Sequence, residues 1–112
     1  MGRGDYLGEF EQVVLLAVAR LEDEAYGMRV REEIEARAGR RASIGAVYAT
    51  LERLVGKGYA RQTDTPGGAE RSGLARRFFA ITRDGESALE EARTVQDRMW
   101  SGLKLRSPRR RS

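Results

Sequence analysis

The sequence predicts a mainly α chain with a small β-hairpin. Three observations lead there. Three segments of helical period follow one another over residues 8–57. Two short runs rich in aromatic and β-branched residues then flank a Pro-Gly-Gly turn signal between 59 and 81. A last long helical pattern carries a single apolar stripe. At 112 residues the chain has room for one hydrophobic core. Only 7% of it is aromatic, so that core is built mostly from Leu, Val, Ile and Ala. Cysteine and histidine are both absent, which excludes disulfides, Cys/His zinc sites, Ser-His-Asp triads and Cys-His nucleophile pairs. No apolar run approaches the roughly 20 residues that span a bilayer. The first ten residues lack the continuous apolar region of a signal peptide. The expected compartment is therefore the cytoplasm.

The first helix, residues 8–21, is apolar nearly all round and reads as buried on more than one side. Glu22-Asp23-Glu24 breaks it, and Asp23 is placed to cap the second helix. That helix, about 26–38, repeats Tyr26, Val30, Ile34 and Ala38 at a spacing of four and stops at Gly39. The third helix, 43–57, has the clearest one-sided stripe: Ile44, Val47, Tyr48, Leu51, Leu54 and Val55. Ser43 is its N-cap and Gly58 its stop, and its opposite face starts with the small residues Gly45, Ala46 and Ala49. A strand from Tyr59 and a returning strand from Arg76 to Ile81 make a hairpin with a long tip. Thr82 caps the final helix, which carries Leu89, Ala92, Val95, Met99 and Leu103 on one side and runs to about Leu103. Disorder is expected from Ser107 onward.

Charge is unevenly distributed. Residues 1–36 hold 4 basic and 9 acidic side chains, 37–77 hold 9 and 3, and 78–103 hold 3 and 5; the tail adds five cations from Lys104 onward. The net charge of +4 thus resides in a central block and a tail. Localised positive charge between acidic flanks fits a docking face for a polyanion.

Three helices, a hairpin and a helix, in that order, make a winged helix-turn-helix plus a C-terminal dimerisation helix. The third helix of such a domain enters a DNA major groove while the hairpin lies on the backbone or minor groove. The basic block covers the same elements. The expected division is 1–82 for the winged domain, 83–103 for the dimerisation helix and 104–112 for a disordered basic tail. Ser43, Gly45, Ala46 and Ala49 are expected on the DNA-facing start of the third helix, with Ser43 either capping the helix, touching DNA, or both. Tyr48 lies on the apolar stripe with its hydroxyl at the rim. Arg53 and Lys57 lie further along and would reach the backbone. Arg40 and Arg41 flank the second and third helices where phosphates would pass, and Arg71, Arg76 and Arg77 arm the wing. Alternation puts Arg76 and Arg77 on opposite faces, so only one is expected to dock well. The stripe Leu89, Ala92, Val95, Met99 and Leu103 fits packing on the same helix, or the first helix, of a second subunit; packing within one chain is the alternative. Met99 and Trp100 are either interface anchors or contacts for a planar small-molecule effector.

Several motifs in the correct order resemble PadR-type transcriptional regulators. They are the run from Ser43 to Gly58, Tyr26-Gly27, Glu70-Arg71-Ser72-Gly73, Arg76-Arg77-Phe78-Phe79 and Ile81-Thr82-Arg83-Asp84-Gly85. The resemblance covers about residues 8–100. It departs at Ile44 and Ala49, where the family often has other residues such as Pro, at Ser72, where Gly is commoner, and at Phe78-Phe79, where paired tyrosines are commoner. The departures bear on sequence preference and leave the fold intact. The resemblance implies double-stranded DNA as partner, a phosphate contact from Tyr48, a homodimer through the last helix and, in short members, planar effectors bound between subunits. The expected function is a sequence-specific regulator, a repressor on a palindromic operator. The alternative is a winged module that binds protein or RNA. No enzyme, cofactor or metal is expected: the acidic residues fall in helix-surface patterns, and Gly67-Gly68 lacks the Lys and helix of a phosphate-binding loop.

Overall fold

The computed structural model describes residues 6–63 and 76–106. Helix α1 spans Glu9–Leu21, α2 Gly27–Ala38 and α3 Ile44–Gly56; strands β1 (Ala60–Thr63) and β2 (Phe78–Ile81) form an antiparallel pair, and α4 spans Arg83–Trp100. The register sets Ala60 opposite Ile81 and Thr63 opposite Phe78. The hairpin tip, with Arg71, lies outside the described residues, as does the tail from 107.

Local chemistry explains most boundaries. Ser43 Oγ accepts the Ala46 N–H at 3.0 Å and starts α3. Gly39 ends α2 with φ 67°, the left-handed conformation that costs glycine least. Thr82 Oγ1 accepts the Gly85 N–H at 3.0 Å and donates to the Gly58 carbonyl at 2.7 Å, so one side chain caps α4 and ties it to the end of α3. Three expectations need correcting. Asp23 does not cap α2: residues Glu22–Glu24 form a short 3-10 turn, and α2 begins after Tyr26, too far along for an Asp23 side chain to reach its first N–H groups. The last helix stops at Trp100 instead of Leu103, because the chain turns at Ser101 and Gly102, which has φ 76°. Arg76 and Arg77 precede β2 instead of opening it.

One core joins every element. Val14, Leu15 and Val18 from α1, Val30 and Ile34 from α2, Val47, Leu51 and Leu54 from α3, and Phe79 from β2 are buried together. Each such side chain stabilises the fold by about 1.5–3 kcal/mol through area removed from water. The wing is joined to the helices by backbone as well: the Phe79 N–H donates to the Ala25 carbonyl at 2.9 Å, and Tyr26 bridges to Phe78. Helix α4 shares this core only at its start, through buried Gly85 and half-buried Leu89. Beyond Ala92 its apolar side chains face solvent: Val95, Met99 and Trp100, then Leu103 and Leu105, are exposed, Met99 by 73%. Among the described residues no helix is long and apolar enough to cross a membrane, and no cluster of three or more acidic side chains could hold a metal.

Candidate nucleic-acid interface

The outer side of α3 exposes Ser43, Gly45, Ala46 and Ala49, while its inner side contributes Val47, Thr50, Leu51 and Leu54 to the core. No atom lies within 4 Å of where a Gly45 Cβ would sit, outside the chain neighbours and the helix's own backbone. A surface without bulk on a helix held rigidly from behind can approach another macromolecule closely. The loop before α3 is fixed from below, since Arg31 Nε donates to the Ala42 carbonyl at 2.9 Å.

Tyr48 is half-buried, and its ring rests on Gly27, the first residue of α2. A Cβ at position 27 would overlap the Tyr48 ring end, so glycine lets the ring pack this closely on the start of α2. Tyr26, the N-cap of α2, gives no side-chain cap. The first turn of α2 carries no acidic residue, so the positive end of the helix dipole is uncompensated by a side chain of that turn. Tyr26 lies between two partners: its ring centroid is 5.2 Å from that of Phe78, and the Arg76 guanidinium lies 4.4 Å above it. Arg76, Tyr26 and Tyr48 therefore gather where α2 begins, beside the exposed face of α3.

The other expected cations are not all presented outward. Arg40 Nη1 donates to both Glu9 carboxylate oxygens, at 2.9 and 2.8 Å, and its guanidinium lies 5.1 Å from the Phe10 ring centroid, so the side chain leans back on α1. Arg41 is exposed. Arg53 Nε donates to Glu11 at 3.1 Å, and Lys57 Nζ donates to both Glu11 oxygens at 3.0 Å and to the Tyr6 carbonyl at 3.0 Å. These two bind a carboxylate of their own chain in the place where backbone contacts were expected. Arg77 meets Glu52 on α3 and Gln62 on β1. Because both arginines precede β2, strand alternation does not place them: Arg76 lies over the Tyr26 ring, and the Arg77 guanidinium lies 5.9 Å from the Tyr48 ring centroid.

Glu11 was not legible as a functional or structural centre in the sequence, where it counted only as charge. It is 6% exposed. Burial pushes its carboxyl up, but the Gly8 N–H at 2.7 Å, Lys57 and Arg53 together outweigh that and hold it below its ordinary value of 4.5. The available signal was spacing: an acid at the third position of a helix whose preceding residue offers a backbone N–H. Glu52 was likewise missed, since its partner lies 25 residues away.

The expected interface residues of α4 divide. Leu89 packs on its own core and Ala92 is half-buried, whereas Val95, Met99 and Leu103 are exposed, and Trp100 is 52% exposed beside them. Leu16 on α1 is also exposed, at the edge of a groove of about 240 Å³ between α1 and α2, whose lining mixes the apolar Val13, Leu16, Ala17, Ile34 and Ala38 with the charged Arg20, Glu33 and Arg37.

Solved structures with this architecture include a PadR-like transcription factor from Bacteroides fragilis, with TM-score 0.69, 20% identity, and coverage of 80% of this chain and 82% of that one. A PadR-like transcriptional regulator from Bacillus cereus matches with TM-score 0.59 and 22% identity over 84% of this chain and 93% of its own. F93 from STIV, described as a winged-helix DNA-binding protein, matches with TM-score 0.64 and 18% identity over 87% and 98%. These likenesses show the winged-helix fold. No curated protein matches the chain. The sequence profile of the transcriptional regulator PadR-like family matches residues 15–91, most of the folded chain, and the protein belongs to that family of transcription regulators.

Proposed function

We propose that this regulator is a homodimeric repressor that reads a palindromic operator with two α3 helices, one per half-site, while each wing lies on the flanking backbone. In this reading residues 1–82 recognise DNA, 83–103 join the subunits, and the basic tail 104–112 adds non-specific attraction. The observation that carries the DNA reading is the bulk-free outer face of α3 set beside Tyr48, Tyr26 and Arg76. Ser43, Gly45, Ala46 and Ala49 approach base edges, and Tyr48, Arg41, Arg71 and Arg76 meet phosphates. Arg40 and Arg53 reach DNA only by exchanging a carboxylate for a phosphate.

The dimer reading is supported by the apolar end of α4. Val95, Met99, Trp100, Leu103 and Leu105 are exposed apolar side chains that a second copy would cover. Exposed Leu16 and the groove beside it offer α1 as the surface receiving the partner's α4. A planar effector stacking on Trp100 near that seam would change the spacing of the two α3 helices and release the operator.

Fluorescence anisotropy with duplexes from the promoter region of its own gene, repeated over a salt series, tests the DNA reading. Specific binding whose affinity falls steeply with salt is expected. Binding that ignores salt, or that does not prefer the promoter to random duplex, would instead indicate a protein- or RNA-binding winged module. Sedimentation without DNA tests the dimer.

A further inference from the structure

Arg77 touches three elements at once. Its Nη2 donates to Glu52 on α3 and, at 3.0 Å, to Gln62 Oε1 on β1; its Nε donates to the same oxygen at 3.3 Å. Its guanidinium lies 5.3 Å from the ring centroid of Phe79 on β2 and 5.9 Å from that of Tyr48 on α3. A cation so committed does not offer its full charge to a phosphate. The carboxylate holding it stands on the exposed side of α3, where an unneutralised negative charge would repel the DNA backbone.

The Phe79 N–H bond to Ala25 and the Tyr26–Phe78 bridge tie the wing to the start of α2; toward α3 it is otherwise held by the turn 57–59, the Thr82 hydroxyl on the Gly58 carbonyl and Phe79 in the shared core, and to itself by a ladder of four residue pairs. Two-stranded hairpins are marginal alone, so a side-chain link from the start of β2 to the middle of α3 has leverage over the wing's angle. We propose that Arg77 and Glu52 are a positioning pair that sets the angle between α3 and the wing, and thereby the discrimination between DNA sequences, and that Arg77 is not a phosphate ligand. This rests on the DNA-binding reading above. Both side chains are about half-exposed, so their bond adds little to global stability. Cutting it alters recognition and leaves folding nearly untouched.

The test uses the full chain and a short duplex enriched from a random-sequence library by the wild-type protein, with a scrambled duplex of equal length as reference. Anisotropy is measured over a potassium chloride series for wild type, Glu52→Gln, Arg77→Gln and the exchange Glu52→Arg/Arg77→Glu. Each single variant is expected to lower the ratio of specific to scrambled affinity by about five- to tenfold, with the effects non-additive and the salt slope unchanged. The exchange restores most of the ratio, because the pair is re-formed with its charges reversed. A phosphate ligand gives the opposite pattern: Arg77→Gln weakens both duplexes equally and flattens the salt slope by about 0.9 per wing, Glu52→Gln binds tighter, and the exchange does not rescue. That pattern, or an unchanged ratio in Glu52→Gln, overturns the proposal while leaving the DNA reading intact. Wild-type protein that enriches no sequence over random duplex overturns both.

Discussion

Replacing Glu11 tests how α3 is held against α1. The carboxylate accepts from the Gly8 N–H, from Lys57 through both oxygens, and from Arg53, and it is buried. Charge-assisted hydrogen bonds contribute about 1.5–3 kcal/mol each when buried. Arg53 is 55% exposed on its side chain and regains water when released, so its share is small. Lys57 is mostly covered and keeps only the Tyr6 carbonyl, and the Gly8 N–H loses its acceptor. Glu11→Ala should therefore cost about 2–3 kcal/mol, read as a lower urea midpoint at unchanged m-value. The pH dependence has a definite sign. Because the folded-state pKa lies below the ordinary 4.5, Glu11's contribution is fully present above the unfolded value and lost as pH falls through the folded one. The wild type should lose stability relative to Glu11→Gln as pH drops below about 4.5, so the difference between the two narrows. A cost below about 0.5 kcal/mol, within the range of ordinary surface substitutions, together with identical acid limbs would refute the reasoning.

Val95→Asp combined with Met99→Asp should give monomers by sedimentation, because two charges would enter the apolar surface proposed as the seam; a dimer unaffected by both moves the interface elsewhere. Gly85→Ala should destabilise by about 2–3 kcal/mol, since the added Cβ would collide with the backbone carbonyl of Tyr59, which cannot rotate away; thermal melting at fixed protein concentration measures it. Gly27→Ala meets the end of the Tyr48 ring, which can swing, and should cost nearer 1 kcal/mol. In a Tyr48→Ala background that penalty should vanish, and a penalty that persists would show that the strain lies elsewhere.

The pairing of cations with carboxylates gives this surface a character that charge counting misses. Residues 37–77 carry nine basic and three acidic side chains, yet Arg40 is paired with Glu9, Arg77 with Glu52, and Arg53 and Lys57 share Glu11. Two of those carboxylates belong to α1, in the acidic first third of the chain. The separation into acidic and basic blocks along the sequence is in space an arrangement of partners. The salt dependence of DNA binding should thus reflect fewer cations than the sequence lists, because some begin the reaction already bound.

Periodicity, caps and composition by themselves determined the order of elements, the N-caps Ser43 and Thr82, the stop at Gly39, and the apolar stripe of α4, because each depends on residues within one or two turns of each other. Family membership was legible for the same reason, in short motifs of contiguous residues. The tertiary structure decided what depends on distant partners. It turned Arg53 and Lys57 onto Glu11 across 42 and 46 residues, and Arg77 onto Glu52 across 25. It also made Gly85 necessary through the Tyr59 carbonyl and favoured Gly27 beneath the Tyr48 ring. Local sequence dictates which backbone conformation is cheapest; only packing dictates which side chain stands opposite another, and the electrostatics of this surface follow from the second.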